Sequence, residues 1–139
     1  MNAFDTATRF FHACESLEGW TGCREFVAPG ATFTSQCEPL VGIDTVQAYC
    51  DWMAGLGNGP LKGCSYRINA SAYDAANRAA LFFGTVTGRH VGEGGPLPPT
   101  LKETHADYVY VLTMNADGKV AKMHKVWNAP WTLRELGWG

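Results

Sequence analysis

The segment THADYVYVLTMNADGKVAKMHKVW, residues 104–127, decides the fold of this chain. It predicts two strands, 104–114 and 119–127, joined by a tight turn at residues 115–118. The turn contains Asp-Gly, which supplies the positive φ that short hairpin loops require. The end of the chain is therefore expected to form a β-hairpin, followed by a short helix at residues 130–136.

Side-chain alternation sorts this hairpin into two faces if Met114 pairs with Lys119. One face is an aromatic wall with a single cation, and the other is a valine stripe with polar residues near its ends. The aromatic face comprises Ala106, Tyr108, Tyr110, Leu112, Ala121, Met123, Lys125 and Trp127. The valine face comprises His105, Asp107, Val109, Val111, Thr113, Val120, Lys122, His124 and Val126. A slip of one residue in the pairing, for example through a glycine bulge at Gly118, would move the side chains of one strand to the opposite face.

Composition indicates one ordered domain. The chain has 139 residues and a mass of 15.1 kDa, with 46% hydrophobic and 17% charged residues. That is enough for one hydrophobic core and too little for two. A net charge of −2 gives no basic surface for nucleic acid or an anionic membrane. We find neither a membrane-spanning apolar run nor a signal peptide pattern, so a cytoplasmic location is expected.

The cysteines predict neither a disulfide framework nor a zinc site, because their number is odd and no two are close in sequence. They are Cys14, Cys23, Cys37, Cys50 and Cys64. We interpret them as reduced thiols that mostly fill the core. A nucleophilic role for Cys37 in its loop stays open, although no basic partner is evident nearby.

The rest of the chain predicts helices first and strands afterwards. Apolar residues recur at helical spacing from Phe4 to Leu17 and over residues 43–56. The first helix is expected to begin at Asn2 or Asp5 and to stop at Gly19, and the second to stop in the Gly/Pro run 55–60. A further turn or two is expected at residues 21–27, ended by Pro29-Gly30.

Strands are predicted at residues 31–36, 65–73 and 79–90, with a Gly/Pro loop at 91–100 before the hairpin. This order is typical of an α+β fold. We expect a curved antiparallel or mixed sheet, closed by the N-terminal helices over a pocket.

Four short segments carry a family resemblance. They are Gly88-Arg89-His90-Val91-Gly92, Pro98-Pro99-Thr100, Asp117-Gly118-Lys119-Val120 and Leu133-Arg134-Glu135-Leu136-Gly137. Their order and spacing resemble those of SnoaL-like polyketide cyclases, within the nuclear-transport-factor-2-like superfamily. The resemblance covers nearly all of residues 1–139 and implies a single SnoaL-like domain, a cone of curved sheet (a cystatin-like roll), and a homodimer. The same scaffold serves isomerases, dehydratases, hydrolases and binding modules.

The catalytic pattern of the family does not carry over. The aspartate that acts as acid and base in the cyclases corresponds to Lys125, and a pocket histidine corresponds to Tyr110. The related steroid isomerases place a carboxylic acid at the position of Tyr110, a base near Ser35 and a tyrosine near residues 10–11. The resemblance does imply that the face with Tyr110, Lys125 and Trp127 points into the cavity.

Lys125 and Tyr110 are the predicted catalytic residues. A lysine on a desolvated aromatic wall has a lowered pKa, which suits it to carry a proton. In the Met114–Lys119 register it lies across from Tyr108, with Tyr110 one pair further along as a hydrogen-bond donor to a carbonyl oxygen. The alternative is that the lysine extends its alkyl stem over the aromatic rings and places its ammonium in water.

The predicted pocket lining consists of Trp127, Tyr108, Met123, Phe33, Ser35, Trp52 and His90. His90 with Arg89 is a candidate rim pair for a substrate carboxylate, or an exposed pair at the edge of a loop.

His105, Asp107 and His124 share the valine face and formally resemble a metal-binding set. His105 and Asp107 lie about 7 Å apart along the strand, and the resemblance turns this face outward. A solvated or dimer-facing polar patch is the preferred interpretation, and no metal is predicted.

The sequence predicts a cofactor-independent cyclase or isomerase that acts by proton transfer on a hydrophobic carbonyl compound. The alternative is a non-catalytic ligand-binding or dimerisation module. The expected partners are a small hydrophobic or aromatic ligand and a second copy of the chain, with neither nucleic acid nor membrane.

Overall fold

The computed structural model describes residues 2–139 and places the predicted hairpin at the centre of a mixed sheet. The helices are α1 (Ala3–Glu15), α2 (Gly19–Cys23), α3 (Val46–Asn58) and α4 (Ala129–Leu136). The strands are β1 (Val27–Ser35), β2 (Ser65–Asp74), β3 (Ala79–Arg89), β4 (Glu103–Met114) and β5 (Val120–Trp127). Within residues 2–139, no helix has both the length and the apolar character to cross a membrane.

The strand order is β1-β5-β4-β3-β2, with β1 parallel to β5 and the other neighbours antiparallel. One face of the sheet packs against α1 and α3. Phe11 of α1 stacks on Phe82 of β3 at 4.8 Å between ring centres, and Tyr49 of α3 stacks on Phe33 of β1 at 4.6 Å. These contacts confirm the predicted α+β class, with the core between the helices and the sheet.

The hairpin keeps its predicted faces, but its register differs by two residues. Lys125 pairs with Tyr110, and Trp127 pairs with Tyr108. A shift of two leaves every side chain on its side of the sheet. Near the turn, Met114 pairs with Val120 across a bulge. Val120 is consequently buried, which corrects its predicted place on the valine face.

The turn explains one residue of this shift, and the bulge between Thr113 and Met114 explains the other. Gly118 takes a φ of 74°, and the Asn115 side chain accepts hydrogen bonds from the backbone N–H groups of Asp117 and Lys119. Asn115 therefore closes the loop against Lys119, and the strand pairing begins one residue further on at Val120. The predicted turn is confirmed, and the predicted partner of Met114 is wrong.

Three element boundaries also differ from those predicted. The helix α1 ends at Glu15, because Leu17 has a φ of 65° and Gly19 begins the next helix. The strand β1 begins at Val27 and continues through Pro29-Gly30, as an edge strand can. The helix α3 begins at Val46 after its cap Thr45 and runs through the glycines to Asn58.

Candidate functional site

Lys125 lies on the inner face of β5 with its side chain in the core. The residue is only 6% exposed, and its Nζ atom lies 5.0–5.8 Å from the centres of five aromatic rings. These rings belong to Tyr49, Trp52, Tyr108, Tyr110 and Trp127. The Nζ atom is thus enclosed by aromatic rings of β4, β5 and α3 and is not placed in bulk water.

A chain of hydrogen bonds connects this lysine to a buried carboxylate on α1. Lys125 Nζ donates to Tyr49 Oη at 2.8 Å, and the hydroxyls of Tyr49 and Tyr110 lie 2.8 Å apart. Tyr110 Oη donates to Glu15 Oε1 at 2.5 Å. We call Lys125, Tyr49, Tyr110 and Glu15 the relay, since two hydroxyls join the amine at one end to the carboxyl at the other.

Burial moves both ends of the relay towards their neutral forms. It lowers the pKa of Lys125 and raises the pKa of Glu15, while the attraction between the two opposes each shift. Burial also raises the pKa values of Tyr49 and Tyr110, which keeps both phenols protonated. The relay therefore consists of groups that hold and exchange protons away from bulk water.

A small cavity lies beside the relay. Its volume is about 40 Å³, and its lining includes Glu15, Trp52, Tyr108, Lys125 and Trp127. This is room for about one to three water molecules. It is far smaller than the space a flat polycyclic ligand fills.

Two residues that line this cavity have a buried polar atom, Glu15 Oε2 and Tyr108 Oη, that makes no hydrogen bond within residues 2–139. The Tyr108 hydroxyl is nevertheless near enough to the Glu15 carboxyl to oppose the rise in the pKa of Glu15 that burial causes. Buried polar groups are nearly always paired, so such atoms mark where a water molecule or a polar atom of a ligand binds. The Tyr108 ring lies close to the backbone of Gly84, where a Cβ atom would come within 2.8 Å of its hydroxyl. A glycine is therefore required at this position of β3.

A larger groove opens on the other side of Trp127. Its volume is about 630 Å³, and it runs between residues 36–39 and α4. Lys125 and Trp127 border both the groove and the small cavity. Trp127 donates a hydrogen bond from its indole to Thr132 of α4 at 2.8 Å, which fixes the ring between the two spaces.

The structure brings some of the predicted pocket residues to the small cavity and leaves others away from it. Tyr108, Trp52 and Trp127 line it, whereas Met123 and Phe33 are buried in the core behind it. The Ser35 hydroxyl donates to the backbone carbonyl of Lys125 at 2.8 Å, so it joins β1 to β5. The Cys37 thiol donates to the carbonyl of Trp127 in a similar way.

His90 lies away from the relay and is fully buried. Its Nδ1 accepts hydrogen bonds from the backbone N–H of Thr100 and from the indole of Trp138. The imidazole therefore fixes the 91–100 loop and the C-terminal segment. The predictions that His90 lies at the pocket rim or at an exposed loop edge are both wrong, because Trp138 covers the imidazole ring.

The three polar residues of the valine face do not converge. His124 bonds to Thr34 at 2.7 Å, Asp107 accepts from Thr85 at 2.8 Å, and His105 contacts Thr87 and Glu103. Each side chain has its own neighbour, which matches a polar outer surface rather than a metal centre.

Glu15 and Tyr49 belong to the relay but are not among the residues that the sequence predicts for the site. Glu15 follows Phe11 by one helical turn, which places it on the buried face of α1, and this spacing was a usable signal. Tyr49 belongs to the apolar stripe of α3, but its hydroxyl contact with Lys125 depends on how the helix docks on the sheet. The chain thus has a buried carboxylate on α1, whereas the cyclase and steroid isomerase carboxylates correspond to strand positions of this chain.

Comparison with solved structures identifies the fold. AclR, a candidate hydroxylase from Streptomyces galilaeus, shares 18% identity over 97% of this chain and 95% of its own, with a TM-score of 0.75. A candidate SnoaL-like polyketide cyclase from Jannaschia sp. CCS1 shares 16% identity over 96% and 90%, with a TM-score of 0.76. IdmH, a candidate polyketide cyclase from Streptomyces antibioticus, shares 15% identity over 99% of both chains, with a TM-score of 0.76.

At these identities the likeness establishes the nuclear-transport-factor-2-like fold and does not establish a reaction. No curated protein sequence matches the chain significantly. Residues 7–123 match the SnoaL-like domain, so Lys125 and Trp127 lie just beyond the matched segment. On that match, and on the fold described above, the chain belongs to the SnoaL-like domain family.

Proposed function

We propose that the protein is a cofactor-independent enzyme that transfers a proton on a hydrophobic carbonyl compound, as a cyclase or isomerase does. One observation carries this proposal. Lys125, Tyr108 and Glu15 all line one cavity, and the buried atoms Tyr108 Oη and Glu15 Oε2 make no hydrogen bond within residues 2–139. A carbonyl group entering the cavity would meet an amine, a hydroxyl donor and a carboxyl together.

Lys125 is the proposed proton carrier. Burial lowers the pKa of Lys125, which makes the proton of its ammonium easier to lose. The amine formed in this way takes a proton from the carbon next to the carbonyl and becomes an ammonium again. The electron pair left behind moves to the carbonyl oxygen, where the Tyr108 hydroxyl donates a hydrogen bond to the enolate. The ammonium then returns the proton to another carbon, which completes an isomerisation or protonates a cyclised product.

Tyr110 has a different part from the one predicted for it. Its hydroxyl is occupied by Glu15 and Tyr49, so we assign it as a positioning residue that holds Lys125 through Tyr49. The hydroxyl available to a substrate is that of Tyr108.

The groove supplies a place for the body of the substrate. At about 630 Å³ it suits a small hydrophobic or aromatic molecule, and Lys125 and Trp127 line both this groove and the small cavity. For the carbonyl to reach the cavity, the Trp127 ring has to turn and break its hydrogen bond to Thr132. The polyketide cyclase designations of the Jannaschia protein and IdmH support this class of substrate.

Deuterium exchange tests the proposal without knowledge of the product. The protein is incubated in D₂O with a panel of cyclic and aromatic ketones, and loss of the proton next to the carbonyl is followed by NMR. We expect catalysed exchange for at least one ketone, reduced about 100-fold or more by Lys125→Met and by Tyr108→Phe.

Matched variants separate this outcome from a general disturbance. Lys122→Met changes an exposed lysine on the same strand, and Tyr66→Phe removes a hydroxyl that bonds to His12 and Ser16 outside the cavity. Both should exchange the ketone at the wild-type rate. Exchange that survives in folded Lys125→Met, or no exchange with any ketone, contradicts the proposal.

A second candidate function is a binding or dimerisation module without catalysis. The small interior volume favours it, as do the exposed apolar side chains Leu81, Phe83 and Val126 on the outer face of the sheet. Ligand binding in the groove that is unaffected by Lys125→Met, together with a dimer in sedimentation, would favour this function over the first.

A further inference from the structure

Three of the five cysteines come together where three helices meet. Cys14 lies in the last turn of α1, Cys23 ends α2, and Cys50 lies in the second turn of α3. Their sulfur atoms all lie within 4.8 Å of one another, and each residue is at most 1% exposed. Core filling requires no such convergence, because small apolar side chains would pack equally well there.

The spacing of the sulfur atoms matches a metal centre. A metal–thiolate bond of about 2.3 Å places three sulfurs about 4.0 Å apart around a central ion in a trigonal arrangement. The three sulfur atoms lie within 4.8 Å of one another, and small rotations of the cysteine side chains would bring them to about 4.0 Å. The three helices therefore hold the ligands close to binding geometry.

We propose that Cys14, Cys23 and Cys50 form a trigonal site for a soft monovalent d¹⁰ ion of the copper(I) class. Thiolate sulfur selects copper(I), zinc and iron–sulfur clusters among biological metals. Zinc takes four ligands in structural sites, and no fourth cysteine, histidine or carboxylate joins this group within residues 2–139. Three sulfurs without a fourth ligand thus fit an ion that accepts three-coordination.

Charge is consistent with this ion. Copper(I) displaces protons from at least two of the three thiols, leaving a small net negative charge, and the Tyr110 hydroxyl lies 3.9 Å from the Cys14 sulfur as a hydrogen-bond partner.

The site touches the relay at one hydrogen-bond contact, between the Cys14 sulfur and the Tyr110 hydroxyl at 3.9 Å. Copper(I) binding is measured without a ketone, and ketone exchange is measured without copper. Loss of the metal and loss of ketone exchange are therefore separate results.

Anaerobic titration with copper(I) against a chromophoric copper(I) chelator tests the site. The protein carries Cys37→Ser and Cys64→Ser, which remove the two cysteines outside the group. We expect one copper(I) per chain, release of at least two protons per ion in weak buffer, and a rise in Tm on binding. X-ray absorption should show sulfur ligands only.

Cys23→Ala in the same background should weaken copper(I) binding by at least about 100-fold, the upper end of what loss of a supporting residue costs a metal site. Retention of tight binding in this variant overturns the proposal. If Cys23→Ala does not fold, the proton release and X-ray absorption of the parent protein decide alone. The site is contradicted if copper(I) binds no more tightly than it does to the chelator, or if X-ray absorption shows nitrogen or oxygen ligands. It is also contradicted if the protein prefers zinc, or if two of the three cysteines form a disulfide and no metal is retained.

Discussion

The two faces of the β4–β5 hairpin differ in where their polar side chains find hydrogen-bond partners. On the inner face, Lys125 is buried, and its relay partners are Tyr49 of α3, Tyr110 of β4 and Glu15 of α1. On the outer face, His124 and Asp107 bond to threonines on adjacent strands of the same sheet. Strand neighbours satisfy polar groups that solvent also reaches, whereas a buried cation requires partners from other elements.

This contrast locates the chemistry. A polar group with a nearby strand partner and access to water gains little from its bond, since water would replace the partner. A buried group has no such replacement, and the relay is the arrangement that stabilises it. Changes on the inner face should consequently cost much more than matched changes on the outer face.

Removal of the buried carboxyl should have the largest effect. Glu15→Ala leaves the Lys125 ammonium without a countercharge and Tyr110 without its acceptor, so the free energy of unfolding should fall by about 3–5 kcal/mol. Urea denaturation measures this loss. On the outer face, Asp107→Ala should cost about 1 kcal/mol or less. Similar losses at the two sites would mean that Glu15 is as exposed in solution as Asp107.

The two tyrosines of the inner face should differ from each other. Tyr110→Phe breaks the relay and leaves Glu15 without a donor, at a cost of about 1–3 kcal/mol in urea denaturation. Tyr108→Phe removes a hydroxyl that has no partner within residues 2–139, so stability should be unchanged or slightly higher. A large destabilisation by Tyr108→Phe would show that its hydroxyl bonds within the folded protein.

The pH dependence of stability should report the burial of Lys125. Its pKa is lower in the folded than in the unfolded chain, where it is near 10.5. The unfolded chain binds more protons between these two values, so this group's contribution to stability is complete above pH 10.5 and is lost as the pH falls. The groups that face the amine are Glu15 on α1, Tyr49 on α3, Tyr108 and Tyr110 on β4, and more distantly Cys14 and Cys37.

Comparison of Lys125→Met with its parent isolates this effect when both carry Glu15→Gln, which removes the neighbouring carboxyl. The parent should gain stability relative to Lys125→Met as the pH rises towards 10.5. Lys122→Met, an exposed lysine on the same strand, should show no such trend. A flat difference for Lys125→Met would place its amine in water.

The smallest effect is expected at the outer histidine. His124→Ala removes a 2.7 Å bond to Thr34, and solvent can replace it, so the free energy of unfolding should change by no more than about 0.5 kcal/mol. Added zinc should change the Tm of His124→Ala and the Tm of the wild type by the same amount, because His124 is not expected to bind the metal. A change above about 2 kcal/mol would show that the outer face also supports the fold.

The sequence predicted the elements and the two faces because both depend on local patterns. The alternation of side chains along β5 correctly placed Lys125 on the inner face and His124 on the outer face. The cross-strand partner of Lys125 is nevertheless Tyr110 instead of the predicted Tyr108. The position of Glu15 could have been inferred from its spacing to Phe11. The contact of Tyr49 with Lys125, and the meeting of three thiols, could not, because they depend on how separate helices dock and no local pattern encodes that geometry.

A double-mutant cycle between Glu15 and Lys125 tests the relay most directly. Urea denaturation is measured for the wild type, Glu15→Gln, Lys125→Met and the double variant. If hydroxyls join the two ends in the core, the double variant should be more stable than the summed single losses by on the order of 1–3 kcal/mol. Losses that add to within about 0.5 kcal/mol would show that the two residues act separately, and the relay would not exist in solution.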